Sequence, residues 1–392
     1  MQKAPSARPI SSGATLVKNV YRAAGSTKSG KRVKAGLQPI QLGLSSRAGP
    51  EKMVMIARVL NELGWAINVE DVINAFNSYK RQALLDAIRK KWVEAVALIN
   101  KMYAFRSPVI YIFVADDGRT IIQIIWSACG TRQGCVFGSI GFDIVMDDIY
   151  TTLQRDYPEF VIRALTDDMP VFIPPPADGE WEPLYSRLGE LLRDYDRMAA
   201  PLGIHRHPDK GHLLLPVGAP LPKHTAYHGI TIRPATTIKL SGGHIGALSD
   251  IAAPIAADTD IVVQKVRAIS ALGQYEPQMT VNLLRVVSNS AQNYMARITP
   301  PCAMAAPGRR LDDALDEAID FIKADFQGEE PPTGPARTAR GRLLYRLNTA
   351  HGGAGITPMA WKGPAAFLAS FLTCTAEPVF RRHRKVLADH VR

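Results

Sequence analysis

Two short apolar runs, Phe160-Val-Ile-Arg-Ala-Leu-Thr166 and Met169-Pro-Val-Phe-Ile173, stand on either side of the pair Asp167–Asp168. Apolar runs this short, split by a polar pair, read as a tight β-hairpin. Such a hairpin projects both carboxylates at one end of a buried sheet. Pro170 lacks an N–H, so one ladder hydrogen bond is forbidden there. The fold must therefore supply a sheet with an acidic end, and neighbouring strands to complete it.

The remaining sequence supplies them. Residues 65–72 read as a short apolar strand ending in carboxylates, and residues 109–126 as a hairpin turning at Asp116–Arg119. Helical periodicity covers 51–64, 80–104, 138–155 and 181–199. Short strands follow around 213–216, 228–233 and 237–246, then helix from about 258 to 297, a Pro/Gly linker over 328–342 and a last helix over 363–373. This order is α+β first and mostly α afterwards, as in a sheet-based catalytic domain with an appended helical domain.

The formal net charge is +11, and the first acidic residue is Glu51. Lys3, Arg8, Lys18, Arg22, Lys28, Lys31, Arg32, Lys34 and Arg47 precede it. Residues 1–35 lack apolar periodicity and read as a loose basic arm. Three readings stay open for it: contact with a polyanion such as nucleic acid, a transit peptide, or a solvated disordered tail. No apolar run approaches the roughly 18 residues of a membrane span. Cys129, Cys135, Cys302 and Cys374 form no CxxC pair, which speaks against a zinc site or disulfide framework and for a reducing compartment.

Several Asp pairs compete for a catalytic role. Asp116–Asp117 precede Gly118 in a turn, where Asp is favoured for turn chemistry alone. Asp147–Asp148 sit on the solvated face of a helix, and Asp312–Asp313 open another helix, where they complement its dipole. Asp167–Asp168 are also a good turn pair by composition. Their neighbours separate them from the rest.

Asp71-Val-Ile-Asn-Ala-Phe-Asn77 lies at a strand end. Gly130-Thr-Arg-Gln-Gly-Cys-Val-Phe-Gly138 joins a strand to a helix. Asp167–Asp168 follow, and Lys210 comes after Leu202-Gly203. In this order the four blocks resemble motifs A to D of reverse transcriptases, especially those of non-LTR retroelements. Leu37-Gln-Pro-Ile-Gln-Leu-Gly43 is similar to the end of the fingers motif. Leu240-Ser-Gly-Gly-His-Ile-Gly246 is similar to a primer-grip hairpin, and residues 258–301 to a helical thumb. His351-Gly-Gly-Ala-Gly-Ile356 resembles a stretch that follows the thumb in retroelement polymerases.

The resemblance implies a right-hand polymerase: a basic arm (1–35), partial fingers and an antiparallel-sheet palm (36–250), a helical thumb (251–327), a linker (328–342) and a C-terminal helical extension (343–392). It implies an RNA-directed DNA polymerase that adds deoxynucleoside triphosphates to a DNA primer on an RNA template. Two Mg²⁺ or Mn²⁺ ions would be held by Asp71, Asp167 and Asp168. Phe76 would lie under the incoming sugar and clash with a 2′-hydroxyl. Arg132, Gln133 and Gly134 would line the nucleotide site, and Lys210 would stand near the leaving pyrophosphate as general acid or charge clamp. The location implied is intracellular, nuclear or cytoplasmic, without a membrane.

The sequence departs from the family pattern in places. Leu165 and Thr166 precede Asp167 where an aromatic residue is usual two positions before the first Asp, and Gln38-Pro39 stands where Arg-Pro is usual. Few residues precede Gln38 to build fingers strands, so slow extension by this chain alone is expected. The alternative is a decayed or domesticated chain of the same fold that holds nucleic acid without polymerising. A two-metal nuclease or phosphotransferase would not need the Gly-Thr-Arg-Gln-Gly block. His205, His207 and His212 read as a polar loop, because no Cys or carboxylate pattern completes a metal site.

Overall fold

The computed structural model describes residues 15–327, 343, 345–375 and 377, apart from 45, 116 and 133. The fold is mixed α+β and divides into two compact units. One holds the residues up to 53 with 60–235, the other 54–59 with the residues from 236 onward.

The first unit runs α1 (Thr15–Ser26), α2 (Lys28–Gly36), α3 (Gly49–Glu62), β1 (Ala66–Glu70), α4 (Ala75–Ser78), α5 (Arg81–Lys91) and α6 (Val96–Tyr103). It continues through β2 (Ser107–Val114), β3 (Thr120–Ser127), α7 (Gly138–Asp156), β4 (Val161–Ile162), β5 (Met169–Ile173) and α8 (Glu182–Ala199). It ends with β6 (His212–Leu214), β7 (Ala226–Tyr227), β8 (Ile230–Thr231) and β9 (Pro234–Ala235). Residues 54–59 of α3 belong with the second unit.

The central sheet has the order β4-β5-β1-β6-β9. Its pairs are antiparallel except β6–β9, which is parallel. The sheet is therefore mixed, where a purely antiparallel one was expected. β5 is buried at all five positions, as a near-continuous apolar run requires. α8 buries Tyr185, Leu188, Leu191, Leu192 and Tyr195 along one stripe, the three-to-four spacing of an amphipathic helix. These side chains share a core with Phe142, Ile144 and Met146 of α7 and with Ile162, Val171 and Ile173 of the sheet. Each such apolar side chain contributes roughly 1.5–3 kcal/mol relative to exposure.

From residue 15 onward, the segment expected as a loose arm is helical. Tyr21 is buried and stacks on Phe137 at 5.6 Å. Thr27 caps α2 by accepting from Gly30 N at 3.1 Å, and Trp92 donates its indole N–H to Ser29 at 3.2 Å. Lysines and arginines are good helix formers, so a basic stretch with a few apolar anchors docks without regular amphipathic spacing. Residues 1–14 lie outside the described residues.

The second unit contains the hairpin of β10 (Thr237–Leu240) and β11 (Gly243–Gly246), then α9 (Leu248–Ser270), α10 (Pro277–Ile298), α11 (Pro301–Gln327) and α12 (Met359–Cys374). The primer-grip-like hairpin thus belongs to this unit, beyond Ala235, and helix begins at Leu248 rather than near 258. Buried Arg58 donates to the carbonyls of His244 and Ile298, at 3.0 and 3.1 Å. Asp312 lies inside α11 and does not open a helix. Its carboxylate accepts the N–H groups of Met359 and Ala360, at 2.8 and 3.1 Å, and so caps α12. The linker at 328–342 lies outside the described residues.

Among the described residues, no helix is long and apolar enough to cross a membrane.

Candidate functional site

The register of β1 and β5 sets the site. Glu70 pairs with Met169 at the end of the ladder. Asp71 is the next residue on one strand and Asp168 the preceding residue on the other. Continuing the antiparallel register sets them at the same sheet end, on chains whose opposed Cα atoms lie about 4.5–5.5 Å apart while paired.

The turn carrying Asp167 is tight. Leu165 and Asp168 exchange both backbone hydrogen bonds, at 2.9 and 3.3 Å, so Thr166 and Asp167 are its two central residues. Thr166 sits at φ +59°, the left-handed conformation that primed hairpin turns require. Gln41 braces this conformation. Its buried side-chain oxygen accepts from Thr166 N at 2.8 Å and Gly43 N at 3.2 Å. The chain on either side of Gln41 pairs with Ala164: Ala164 N donates to Ile40 O, and Leu42 N to Ala164 O, both at 2.8 Å. The block at 37–43 is thus a buttress for the aspartate turn. Sequence reasoning missed that role for Gln41, since its partner lies 125 residues away.

Asp143 was missed as well. On the buried face of α7, it is 1% exposed, and among the described residues neither carboxyl oxygen has a hydrogen-bond partner. Burial holds this carboxyl well above the usual carboxylate range, and the charges of Asp167 and then Asp147 push the same way. An Asp within the otherwise apolar run Ile140–Met146 signals a buried position but not what it faces.

The loop after α8 reaches the same sheet end. Ile73 N donates to His205 O at 2.9 Å, and His207 N to Asp71 O at 2.7 Å. Arg206 between them is fixed by Glu70 and Asp196. Four residues after Arg206, Lys210 Nζ donates to Asp71 Oδ2 at 2.8 Å. Both side chains of this pair keep solvent contact, 54% for Lys210 and 32% for Asp71.

The blocks at 71–77 and 130–138 also meet. Thr131 N donates to Phe76 O and Gly130 N to Tyr79 O, both at 2.7 Å, and the Tyr79 hydroxyl donates to Thr131 Oγ1 at 3.1 Å. Gly130 has φ +53°, and a Cβ there would lie 2.1 Å from Phe76 O, so the approach requires glycine. Arg81 locks the strand leading in, donating to the carbonyls of Gly130, Phe105 and Ser127. Phe76 is half-buried against Phe142, with ring centroids 5.7 Å apart. Arg132 lies over the Tyr103 ring, 5.7 Å from its centroid, and Gly134 is exposed at φ +90°. Gln133 lies outside the described residues.

The competing carboxylates have other partners. Lys91 binds Asp147 at 2.6 Å and Asp148 at 2.9 Å, and Lys90 binds Asp148 at 2.8 Å. Asp117 holds Arg119 across its turn. His205 and His207 line a cavity of about 430 Å³ with Glu70, Arg206 and Arg233.

For divalent ions the donor chemistry at the sheet end is right: hard carboxylate oxygens on neighbouring strands suit Mg²⁺ or Mn²⁺. The placement differs. Among the described residues, no three His, Cys, Asp or Glu side chains gather closely enough to hold a metal.

No family model matches the sequence, and no curated protein matches it. Among solved structures similar to the chain are telomerases. Apo telomerase from Candida tropicalis is 9% identical with a TM-score of 0.39, over 92% of this chain and 59% of that one. Telomerase from Candida albicans in complex with the TWJ fragment of telomeric RNA is 11% identical with a TM-score of 0.33, over 85% and 56%. The Candida tropicalis enzyme with a TWJ fragment is 9% identical with a TM-score of 0.36, over 93% and 55%. The chain thus spans little more than half the length of these telomerases. Likeness at this level assigns no family to it.

Proposed function

We propose that this chain is the palm and thumb of an RNA-directed DNA polymerase, with its active site at the sheet end carrying Asp71, Asp167 and Asp168. The observation that supports this best is the β1–β5 register, which ends one residue before Asp71 on one strand and one residue after Asp168 on the other, with Asp167 in the turn beside it. The ordered blocks at 71–77, 130–138, 167–168 and 210 support it too, because backbone hydrogen bonds tie the first to the second and to the loop that carries the last.

In this reading Asp71, Asp167 and Asp168 would hold two Mg²⁺ or Mn²⁺ ions once drawn closer together than they stand here. When bound, such ions activate the primer 3′-hydroxyl and neutralise the leaving pyrophosphate. Phe76 presents its ring under the sugar of the deoxynucleotide and excludes a 2′-hydroxyl by bulk. Arg132, Gln133 and Gly134 bound the nucleotide, Gly134 by allowing close backbone approach. Lys210 places an ammonium beside the triphosphate, as acid or as charge. The partners are an RNA template and a DNA primer, held through backbone charge and A-form shape.

A second reading is favoured by the ungathered carboxylates and by the Lys210–Asp71 pair: a chain of the same fold that binds primer–template without extending it. Primer extension on an RNA template with Mg²⁺ or Mn²⁺, beside an Asp167→Asn control, separates the two. Extension that Asp167→Asn abolishes supports the polymerase. Tight binding without extension, even at long incubation, supports the second reading. Extension that survives Asp167→Asn sinks the site assignment.

A further inference from the structure

We propose that the β2–β3 ribbon is a self-association surface, on which a second copy of this chain packs face to face about a two-fold axis. The inference stands apart from the polymerase reading. The register defines the face: residues 110, 112 and 114 of β2 stand opposite 124, 122 and 120 of β3, and Trp126 closes the row. On it Ile110, Ile112, Val114, Ile122, Ile124 and Trp126 are each more than half exposed. The opposite face is partly covered at Val109 and Tyr111. The ribbon is clamped at its base, where Arg81 donates to Phe105 O at 2.6 Å and to Ser127 O at 2.8 Å, beside the two strand ends. The clamp sets the direction of the ribbon. A two-stranded hairpin is still marginal in water and gains from a packed layer.

Area and charge both favour a second copy as the occupant. Six side chains of this kind offer on the order of 600 Å² of apolar surface, the upper end of the largest patch on a typical monomer. Two copies packed on it bury on the order of 1,200 Å² together, the lower edge of specific interfaces. Neither strand carries a charge, so a polyanion finds nothing to hold on this face. The charges stand at the two ends instead. Arg106 lies at the base, its guanidinium 4.9 Å from the centre of the Trp126 ring. The turn at the far end carries Asp116 and Asp117 against Arg119. A two-fold axis perpendicular to the strands runs the two ribbons in opposite directions, so each basic base meets the acidic turn of the other copy. It also attaches the two chains, each with a net charge of +11, at opposite ends of the shared layer. Because the same face is used on both copies, the assembly closes at two and leaves the strand edges unpaired.

Sedimentation velocity of the full chain, followed from about 1 to 100 µM, tests the pairing. An interface of this size is weak, so a monomer–dimer equilibrium with a dissociation constant in the micromolar range is expected. Ile112→Glu buries a carboxylate twice per dimer and should raise that constant by about tenfold or more. Arg106→Glu and Asp117→Lys should each raise it several-fold alone. An equimolar mixture of these two variants should pair again near the parental constant, because opposite charges then meet at both ends. Circular dichroism and a urea midpoint taken below the dissociation constant, both unchanged, show that the variants fold. A chain that stays monomeric to the top of the range, or that dimerises equally well with Ile112→Glu, would overturn the surface. Open-ended assembly in place of a dimer, or a mixture that fails to recover, would overturn the two-fold arrangement. A monomer that floats with phosphatidylcholine vesicles, and is released by Ile112→Glu, would assign the face to lipid instead.

Discussion

Arg206 grips Asp196 with two parallel hydrogen bonds, Nε to Oδ1 at 2.8 Å and Nη2 to Oδ2 at 2.6 Å. Its remaining Nη1 reaches Glu70 at 2.8 Å. This fork joins α8, the end of β1 and the loop carrying Lys210. Arg206 is 11% exposed and Glu70 6%, so neither charge tolerates losing the other. Arg206→Ala should cost about 3–5 kcal/mol, the usual penalty for orphaning a buried charge. Urea denaturation measures it, and Glu70→Gln added to Arg206→Ala should recover part of the loss. A cost under about 1 kcal/mol would show that Glu70 finds solvent unaided.

Asp143 predicts a pH dependence. Its folded-state carboxyl titrates well above the usual carboxylate range, through burial first and Asp167 second. Above the ordinary Asp value the unfolded chain has released this proton and the folded chain still holds it. Stability therefore falls as pH rises through that window. Asp143→Asn mimics the neutral acid and removes the slope. The variant should match the parent near pH 4 and exceed it in Tm near pH 8. Parallel Tm–pH curves for the two proteins would contradict the assignment.

Gly130 and Gly64 make a matched pair. Both have positive φ, but a Cβ at Gly64 meets nothing within 4 Å, whereas at Gly130 it meets Phe76 O at 2.1 Å. Gly64→Ala should cost about 1 kcal/mol for backbone strain alone. Gly130→Ala should cost several times that, because Thr131 N to Phe76 O and Gly130 N to Tyr79 O must part. Equal shifts in thermal denaturation would mean that these two segments separate easily.

Phe76 tests sugar choice. Phe76→Ala should raise ribonucleotide incorporation relative to deoxynucleotide in primer extension. Its half-buried packing on Phe142 adds a stability loss of about 1–3 kcal/mol. Destabilisation with unchanged sugar discrimination in an active preparation would leave Phe76 as a packing residue.

The parts of this site that sequence made visible are those written locally. β1, α7 and the turn at Asp167 follow from apolar runs broken by carboxylates, and a run's period is set by neighbouring residues. Gln41 and Asp143 were not visible for the opposite reason. Gln41 acts on Thr166, and Asp143 acts beside Asp167, through folded proximity that no local pattern encodes. The helices at 15–36 were hidden differently: a basic composition suggested a solvated arm, while their anchoring depends on Phe137 and Trp92, far along the chain. Asp312 misled because an Asp pair also fits a helix start. Its actual task, capping a helix about 47 residues onward, is again tertiary.

The β2–β3 ribbon bears on how the protein behaves in bulk. One face carries Ile110, Ile112, Val114, Ile122, Ile124 and Trp126, each more than half exposed. Neither strand contains a charged residue, and among the described residues the ribbon pairs with no further strand. A two-stranded hairpin is marginal in water, so its amides should exchange with deuterium long before those of β1 or β5. Colloidal stability and global stability are therefore set in different places. A charge introduced at Ile112 or Ile122 should raise the concentration at which solutions turn turbid while leaving the urea midpoint unmoved.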